Sequence, residues 1–187
     1  IREAGRRGVG VVVMEPLRGG LLANPPVDVK AVYDAYAVQR SPVEWGFRYL
    51  YAMPEVITIL SGMSTWAQVT DNLRIFDMTK RPTLTDEELA LYQKVKATYL
   101  ARTKTRCTGC KYCQPCPMGV QIPRIFQGYD AAMLRADSSF KAGYAQIQAD
   151  HADASQCIHC RKCERVCPQH LPITRFLQEI HTASTAE

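Results

Sequence analysis

The cysteines are the feature that most constrains this chain, because all eight lie in two short runs. The first run reads Cys107-Thr-Gly-Cys110-Lys-Tyr-Cys113-Gln-Pro-Cys116-Pro117. The second reads Cys157-Ile-His-Cys160-Arg-Lys-Cys163-Glu-Arg-Val-Cys167-Pro168. The second spacing, C-x2-C-x2-C-x3-C-P, is typical of [4Fe–4S] sites in which the fourth cysteine binds the other cluster. Eight thiolates in two such runs predict two [4Fe–4S] clusters.

The motif divides the eight predicted metal ligands into two crossed sets. One cluster is expected to bind Cys107, Cys110, Cys113 and Cys167, and the other to bind Cys157, Cys160, Cys163 and Cys116. The first run departs from the motif, since two residues rather than three precede its fourth cysteine. The assignment of Cys116 is therefore the one that the spacing supports least.

Zinc sites and disulfides are the two alternatives for cysteines at this density. Zinc usually takes two C-x2-C pairs separated by a spacer. Four cysteines in a run of ten or eleven residues, closed each time by Cys-Pro, fit that pattern poorly. Disulfides are typical of secreted chains, and no signal peptide is visible here. The clusters remain the favoured prediction.

Charge and hydropathy exclude some classes of function. The formal net charge is +5, but eight thiolates and two oxidised cubanes would lower it to about +1, which argues against nucleic acid as a partner. No apolar run reaches the length of about 18 residues that a membrane span needs, so a cytoplasmic protein is expected. Cations crowd the cysteine runs and would either face an acidic partner or balance the charge of the clusters. They are Arg102, Lys104, Arg106, Lys111, Arg161, Lys162 and Arg165.

The first hundred residues alternate predicted strands and helices, which indicates a parallel sheet. Val9–Met14 and Val56–Leu60 are short and apolar on both faces, as buried parallel strands are. Helix-starting signals stand at Ser41-Pro-Val-Glu44, Thr65-Trp-Ala-Gln68 and Thr85-Asp-Glu-Glu88. Two strands are too few to form a closed barrel, so we expect them to pair with one apolar side of the sheet uncovered. We also expect the chain to associate through that uncovered side. The missing strands are expected upstream or in a partner chain, since the sequence starts abruptly at Ile1.

Helical spacing of apolar residues recurs between and after the cysteine runs. The positions are Ile122, Ile125, Phe126, Tyr129, Met133 and Leu134, then Phe140, Tyr144 and Ile147, and finally Ile173, Phe176, Leu177 and Ile180. We therefore expect a helical domain around the clusters.

Several segments resemble the last third of the aldo/keto reductases, which are (β/α)8 barrels that use NADPH. The segments are Met14-Glu-Pro-Leu-Arg-Gly-Gly-Leu-Leu22, Pro42 with Trp45-Gly-Phe-Arg-Tyr-Leu50, Ile59-Leu-Ser-Gly-Met-Ser64, and Gln68 with Asp71-Asn72-Leu73. Residues 107–123 resemble the cysteine segment of the subgroup that ends in an iron–sulfur domain. The resemblance implies a fold of two parts: the C-terminal part of a TIM barrel over residues 1–101, and an α-helical ferredoxin domain over residues 102–187.

The resemblance also implies a nucleotide site in the loops after the last two barrel strands, where barrel sites lie. Ten residues would contact NADPH or NADH: Pro16, Leu17, Arg18, Gly19, Gly62, Met63, Ser64, Gln68, Asp71 and Asn72. Gln68 stands where many members carry arginine, so the choice between the two nucleotides stays open.

No catalytic residue is assigned, because the Asp, Tyr, Lys and His of the family lie on earlier barrel strands. The four histidines here all follow residue 150. Two functions are therefore predicted. One is an NAD(P)-linked oxidoreductase acting on a small carbonyl substrate, with this chain lacking the catalytic half. The other is an electron-transfer module whose barrel part is a scaffold. Either would need a redox partner protein or the missing half of the barrel.

Overall fold

A computed structural model describes residues 1–77 and 81–186. The chain divides into two compact units, Ile1–Thr98 and Tyr99–Glu187. The predicted domain boundary after residue 101 lies close to this division. The division gives the bounds of the two units and does not show whether either has a barrel-like or a ferredoxin-like fold.

The first unit alternates helices with two short strands, in the predicted order. Its elements are helix α1 (Arg2–Arg6), strand β1 (Val11–Val13), helices α2 (Val27–Asp34) and α3 (Pro42–Tyr51), strand β2 (Val56–Ile59), and helices α4 (Trp66–Phe76) and α5 (Asp86–Arg102). Strands β1 and β2 pair in parallel. The prediction of adjacent parallel strands is therefore confirmed.

Exposed apolar side chains lie on both faces of this small sheet, so the prediction of one uncovered side is wrong. Val56 at the start of β2 is buried, whereas Ile57 is 63% exposed and Met14, just after β1, is 75% exposed. Val12 and Leu60 are exposed as well. Successive side chains of a strand point to opposite faces, so Ile57 lies on one face of the sheet and Val12 and Leu60 lie on the other. Within the described residues the sheet has two strands, so a barrel remains an implication of the resemblance rather than a feature of this chain.

The helix-starting signals form N-terminal caps, but not every cap has both hydrogen bonds of a capping box. Thr65 Oγ1 accepts from Gln68 N and Gln68 Oε1 accepts from Thr65 N, which is a complete capping box for α4. Ser41 Oγ accepts from Glu44 N at 3.1 Å before α3. The Glu44 carboxylate does not return to the Ser41 amide but contacts the Arg74 guanidinium at 2.9 Å.

The second unit is helical, so the prediction of a helical domain is confirmed. It contains α6 (Ile122–Arg135), α7 (Ser139–Ala149), a 3-10 turn (Ala154–Gln156), α8 (Lys162–Arg165) and α9 (Ile173–Thr185). Its core consists of the apolar faces of α6, α7 and α9, and includes Val120, Ile122, Ile125, Phe126, Ala132, Phe140, Tyr144, Ile147, Ala154, Ile173, Leu177 and Ile180. Six of the eight cysteines pack against this core.

Across the described residues, every helix is too short or too polar to cross a lipid bilayer.

Candidate metal centre

The second unit holds two cavities, and each is lined by one of the predicted ligand sets. The larger, of about 190 Å³, is lined by Cys116, Cys157, Cys160 and Cys163. The smaller is lined by Cys107, Cys110, Cys113 and Cys167. Cys113 also reaches the larger cavity, so the two sites adjoin. The fold thus brings three cysteines of each run together with the fourth cysteine of the other run, which is the crossed grouping that the motif predicts.

The arrangement of the thiols can be compared with the two alternatives to clusters, which are disulfides and zinc sites. All eight thiols are free in the structure, so none of them forms a disulfide. In the part of the chain that the structure describes, no three His, Cys, Asp or Glu side chains converge closely enough to hold one metal ion. A zinc ion would need its sulfurs drawn to one point at about 2.3 Å. A cubane needs them spread around a cavity, because each thiolate binds a different iron. The grouping of four cysteines around each cavity fits this requirement.

The two cysteine runs share a backbone conformation on either side of their second cysteine. In each run, the residues on both sides of the second cysteine have positive φ: Gly109 (69°) and Lys111 (65°) in the first run, and His159 (56°) and Arg161 (57°) in the second. Alternation of right-handed and left-handed residues turns successive N–H groups to one side, and such concavities bind anions at many iron–sulfur sites. A cubane with four thiolates is an anion, so this backbone suits it.

The repeat continues through the fourth cysteine of each run. Three residues after Cys116 and Cys167, Gly119 and His170 again have positive φ. The Gly119 amide donates to the Cys116 carbonyl at 2.9 Å, and the His170 amide donates to the Cys167 carbonyl at 3.1 Å. Helices α6 and α9 then begin at equivalent positions. The shared pattern C-P-x4-I-x-R in both segments is the sequence signal that could have identified this repeat.

A buried carboxylate anchors the backbone that leads into the first cysteine run. Asp130 on α6 is 8% exposed and accepts four hydrogen bonds. Its Oδ1 accepts from the amides of Lys104 (2.9 Å) and Thr105 (3.0 Å). Its Oδ2 accepts from the Arg106 amide (2.7 Å) and the Thr105 hydroxyl (2.8 Å). The Thr105 hydroxyl in turn accepts from the Cys107 amide at 3.2 Å. Asp130 therefore positions the first ligand of the smaller cavity.

The second run has its own anchors. The buried Asp153 carboxylate accepts from the Ser155 amide at 3.1 Å and caps the 3-10 turn before Cys157. The Glu164 carboxylate accepts from the amide and hydroxyl of Thr174 at 2.9 and 2.8 Å, which ties α8 to the start of α9. Sequence reasoning missed these acids and Asp130, because no short motif marks any of the three.

Burial disfavours the charged form of several thiols. Desolvation raises the pKa of Cys107 and Cys113, and neighbouring thiols raise it further. Desolvation, Glu164 and Cys157 raise the pKa of Cys163 to about 11. Thiolates are the form that binds metal, so a bound cation must offset this penalty and metal binding would release protons.

The predicted nucleotide residues converge at a different place, in the first unit. A cavity of about 520 Å³ lies just beyond the carboxyl ends of β1 and β2. Eight of the ten predicted residues line it: Pro16, Leu17, Gly19, Gly62, Met63, Gln68, Asp71 and Asn72. Arg18 and Ser64 are not part of its lining.

The polar groups of this cavity already have partners within the chain. Gln68 Oε1 accepts from the Ser64 amide at 2.7 Å, which helps to satisfy the start of α4. Asn72 Nδ2 donates to Ser61 Oγ at 2.8 Å. Asp71 pairs with an arginine of the same helix. Several of the N–H groups at the start of α4 are therefore already satisfied within the chain.

No histidine in the described part of the chain lines the two cysteine cavities or the cavity of the first unit. His151, His159 and His170 are exposed, and His181 on α9 makes a 2.8 Å hydrogen bond with the Tyr144 hydroxyl.

The fold and the cysteine cavities together define a ferredoxin-like iron–sulfur region. Residues 106–171 match the 4Fe-4S dicluster domain, and this segment contains all eight cysteines. A search of curated proteins and a search of solved structures found no match to this chain. Iron–sulfur binding is thus supported for the second unit, whereas the likeness of the first unit to aldo/keto reductases stays a resemblance of sequence segments.

Proposed function

We propose that this chain transfers electrons through two [4Fe–4S] clusters bound with crossed ligands. The observation that carries the proposal is the pair of adjoining cavities, each with three cysteines of one run and the fourth of the other. When bound, such clusters supply one-electron transfer. The protein contributes eight thiolates, concave backbone loops whose N–H groups stabilise negative charge, and buried acids that hold the loops in place.

Metal analysis of the protein purified without oxygen tests this proposal. We expect about eight iron and eight acid-labile sulfide per chain, as two cubanes require. We also expect a broad visible absorbance that dithionite bleaches, because the iron–thiolate absorbance depends on the oxidation state of the iron. Zinc measured on the same sample is the internal control. Stoichiometric zinc with no visible absorbance would contradict the proposal.

A second function is proposed for the first unit: binding of NADPH or NADH as part of an oxidoreductase of the aldo/keto reductase type. The support is the cavity at the carboxyl ends of two parallel strands, where nucleotide sites of α/β folds lie. The catalytic Asp, Tyr, Lys and His would come from outside this chain, from the missing barrel half or a partner. A small carbonyl compound would be the substrate, and a redox partner protein would exchange electrons with the clusters.

Substitution of Gly62 tests the nucleotide site. A Cβ atom added at Gly62 meets no atom within 4 Å, so the backbone there has room for a side chain, and Gly62→Leu would place one beside the cavity. We expect NADPH to bind about tenfold more weakly, a difference of about 1.4 kcal/mol, measured by fluorescence titration. Gly143→Leu in α7 is the matched control, because its added side chain also meets nothing within 4 Å. Equal nucleotide affinity in both variants, or none in the parent chain, would contradict the proposed site.

A further inference from the structure

We propose that the larger cysteine cavity opens on a docking surface for an acidic redox partner protein, and that electrons leave or enter the chain there. The inference rests on the proposed function of cluster binding, and it specifies which of the two sites faces the partner and what chemistry that partner presents.

Large apolar side chains surround the opening of this cavity. Tyr112 is 68% exposed and Ile158 is 61% exposed, and Met118 and Val166 are also exposed. All four line the same cavity as Cys116, Cys157, Cys160 and Cys163. A solvent-exposed apolar patch around a polar or metal site is characteristic of an interaction surface. We call these four residues the apolar rim.

The smaller cavity lacks such a rim. Within the described chain, the large apolar side chains that line it belong to the core or are half-buried, as in Phe126, Ile173 and Leu171. Cys113 and Ile122 line both cavities, so the two sites share a wall. The arrangement therefore has one site with an exposed apolar rim and one site without it, and the site with the rim is the natural point of contact with a partner.

The charged groups beside the apolar rim are cations. Arg161 and Lys162 line the larger cavity and are exposed, and Arg165 on the same short helix is exposed as well. Glu164 lies between them, but its carboxylate points to Thr174 and its side chain is only 23% exposed. No acidic residue occurs from residue 103 to residue 129, beside the other half of the opening. A partner surface of carboxylates would complement this pattern.

Electron-transfer partners meet through some of the smallest protein interfaces, so a contact of a few exposed residues is enough for this exchange. The exchange itself is balanced by one electron. A reduced cluster loses one electron and the acceptor gains one, no bond between the two proteins forms or breaks, and a flavin acceptor that also takes up a proton takes it from water. A one-electron acceptor such as a flavodoxin in its oxidised form meets this requirement and is acidic.

Equilibrium binding of oxidised flavodoxin to the full chain with its clusters is the test. We expect binding to weaken as salt rises from 0.01 to 0.15 M, because the screening length falls from about 30 Å to about 8 Å. Lys162→Glu should weaken binding at low salt at least about fivefold. Ile158→Ser should weaken it with little change in the salt dependence, because it removes an apolar contact only. The matched control is Lys141→Glu, an exposed lysine on α7 whose charge reversal should leave the affinity unchanged.

Iron analysis of each sample distinguishes a failure of the proposed docking surface from a failure of the proposed cluster binding. Full clusters together with equal affinities of Lys162→Glu and Lys141→Glu would overturn the docking surface while leaving the proposed function intact. That outcome would indicate that the cations only balance the charge of the clusters. Tighter binding of a basic cytochrome, of DNA or of anionic vesicles than of flavodoxin would also overturn it. Absence of clusters from the parent chain would overturn both proposals.

Discussion

The double variant Cys167→Ala/Cys110→Ala is expected to retain about four iron per chain, whereas Cys167→Ala/Cys160→Ala is expected to retain almost none. The reason is the crossed grouping of the cavities. Cys167 and Cys110 line the smaller cavity together, so both substitutions damage one site, while Cys160 belongs to the larger cavity. Iron and sulfide content and the visible absorbance of protein purified without oxygen measure the result.

The fourth cysteine of the first run provides the reciprocal control. Cys116→Ala/Cys160→Ala should spare one cluster and Cys116→Ala/Cys110→Ala should remove both, because Cys116 lines the larger cavity. If each run instead bound its own cluster, Cys167→Ala/Cys160→Ala would keep four iron and Cys167→Ala/Cys110→Ala would lose both clusters. The two schemes predict opposite results for the same four proteins, and the short spacing before Cys116 is tested directly.

Asp130→Ala is expected to make the second unit lose its clusters about a hundredfold faster. The substitution leaves three backbone amides and one hydroxyl without their acceptor in a buried position. Hydrogen bonds to charged groups contribute about 1.5–3 kcal/mol each. Two of the four bonds at the lower of these values already amount to about 3 kcal/mol, and a loss of this size that falls on unfolding corresponds to roughly a hundredfold in rate. The half-life of the visible absorbance in urea is the measurement, since cluster loss is irreversible.

Two further variants show whether the buried carboxylate itself is responsible. Asp150→Ala removes an exposed carboxylate whose pair with Arg124 spans 3.4 Å, and exposed pairs contribute little. Its half-life should match that of the parent. Thr105→Val keeps the three amide bonds and removes the hydroxyl, so its effect should be intermediate. Similar half-lives for Asp130→Ala and Asp150→Ala would show that the anchor does not control the loop.

The predicted ligand sets could be written down from spacing alone, because a cluster-binding loop is a local structure. Cys110 and Cys160 each stand three residues after the first cysteine of their run, and the backbone around both has the same pair of positive φ angles. The same holds for helix starts. Thr65 and Gln68 are three residues apart, so their capping box needs no information from the rest of the chain. The pairing of the two strands also followed from local signals, namely apolar runs linked by helices.

The anchors of the cysteine loops could not be predicted in this way. Asp130 meets Arg106 from 24 positions away. In the first unit, Glu88 on α5 meets Arg40 across 48 positions, although its place in a helix-starting signal explains only its bond to Thr85. For the predicted nucleotide residues, the sequence indicated which residues lie near each other but not their hydrogen-bond partners. Their convergence on one cavity agrees with the resemblance, but the internal hydrogen bonds of Gln68 and Asn72 appear only in the folded chain.

By itself, then, the sequence determined what depends on neighbours a few residues apart: the cysteine spacing, the helix starts, the apolar periodicity and the two β-branched strands. Only the tertiary structure decided which acids are buried under the cysteine loops, which cavity carries the exposed apolar rim, and how far each face of the small sheet is exposed. The physical reason is that burial and hydrogen bonding of a side chain depend on segments brought together from distant parts of the chain. A carboxylate such as Asp130 is indistinguishable from an exposed one until the backbone amides that it satisfies have been folded against it.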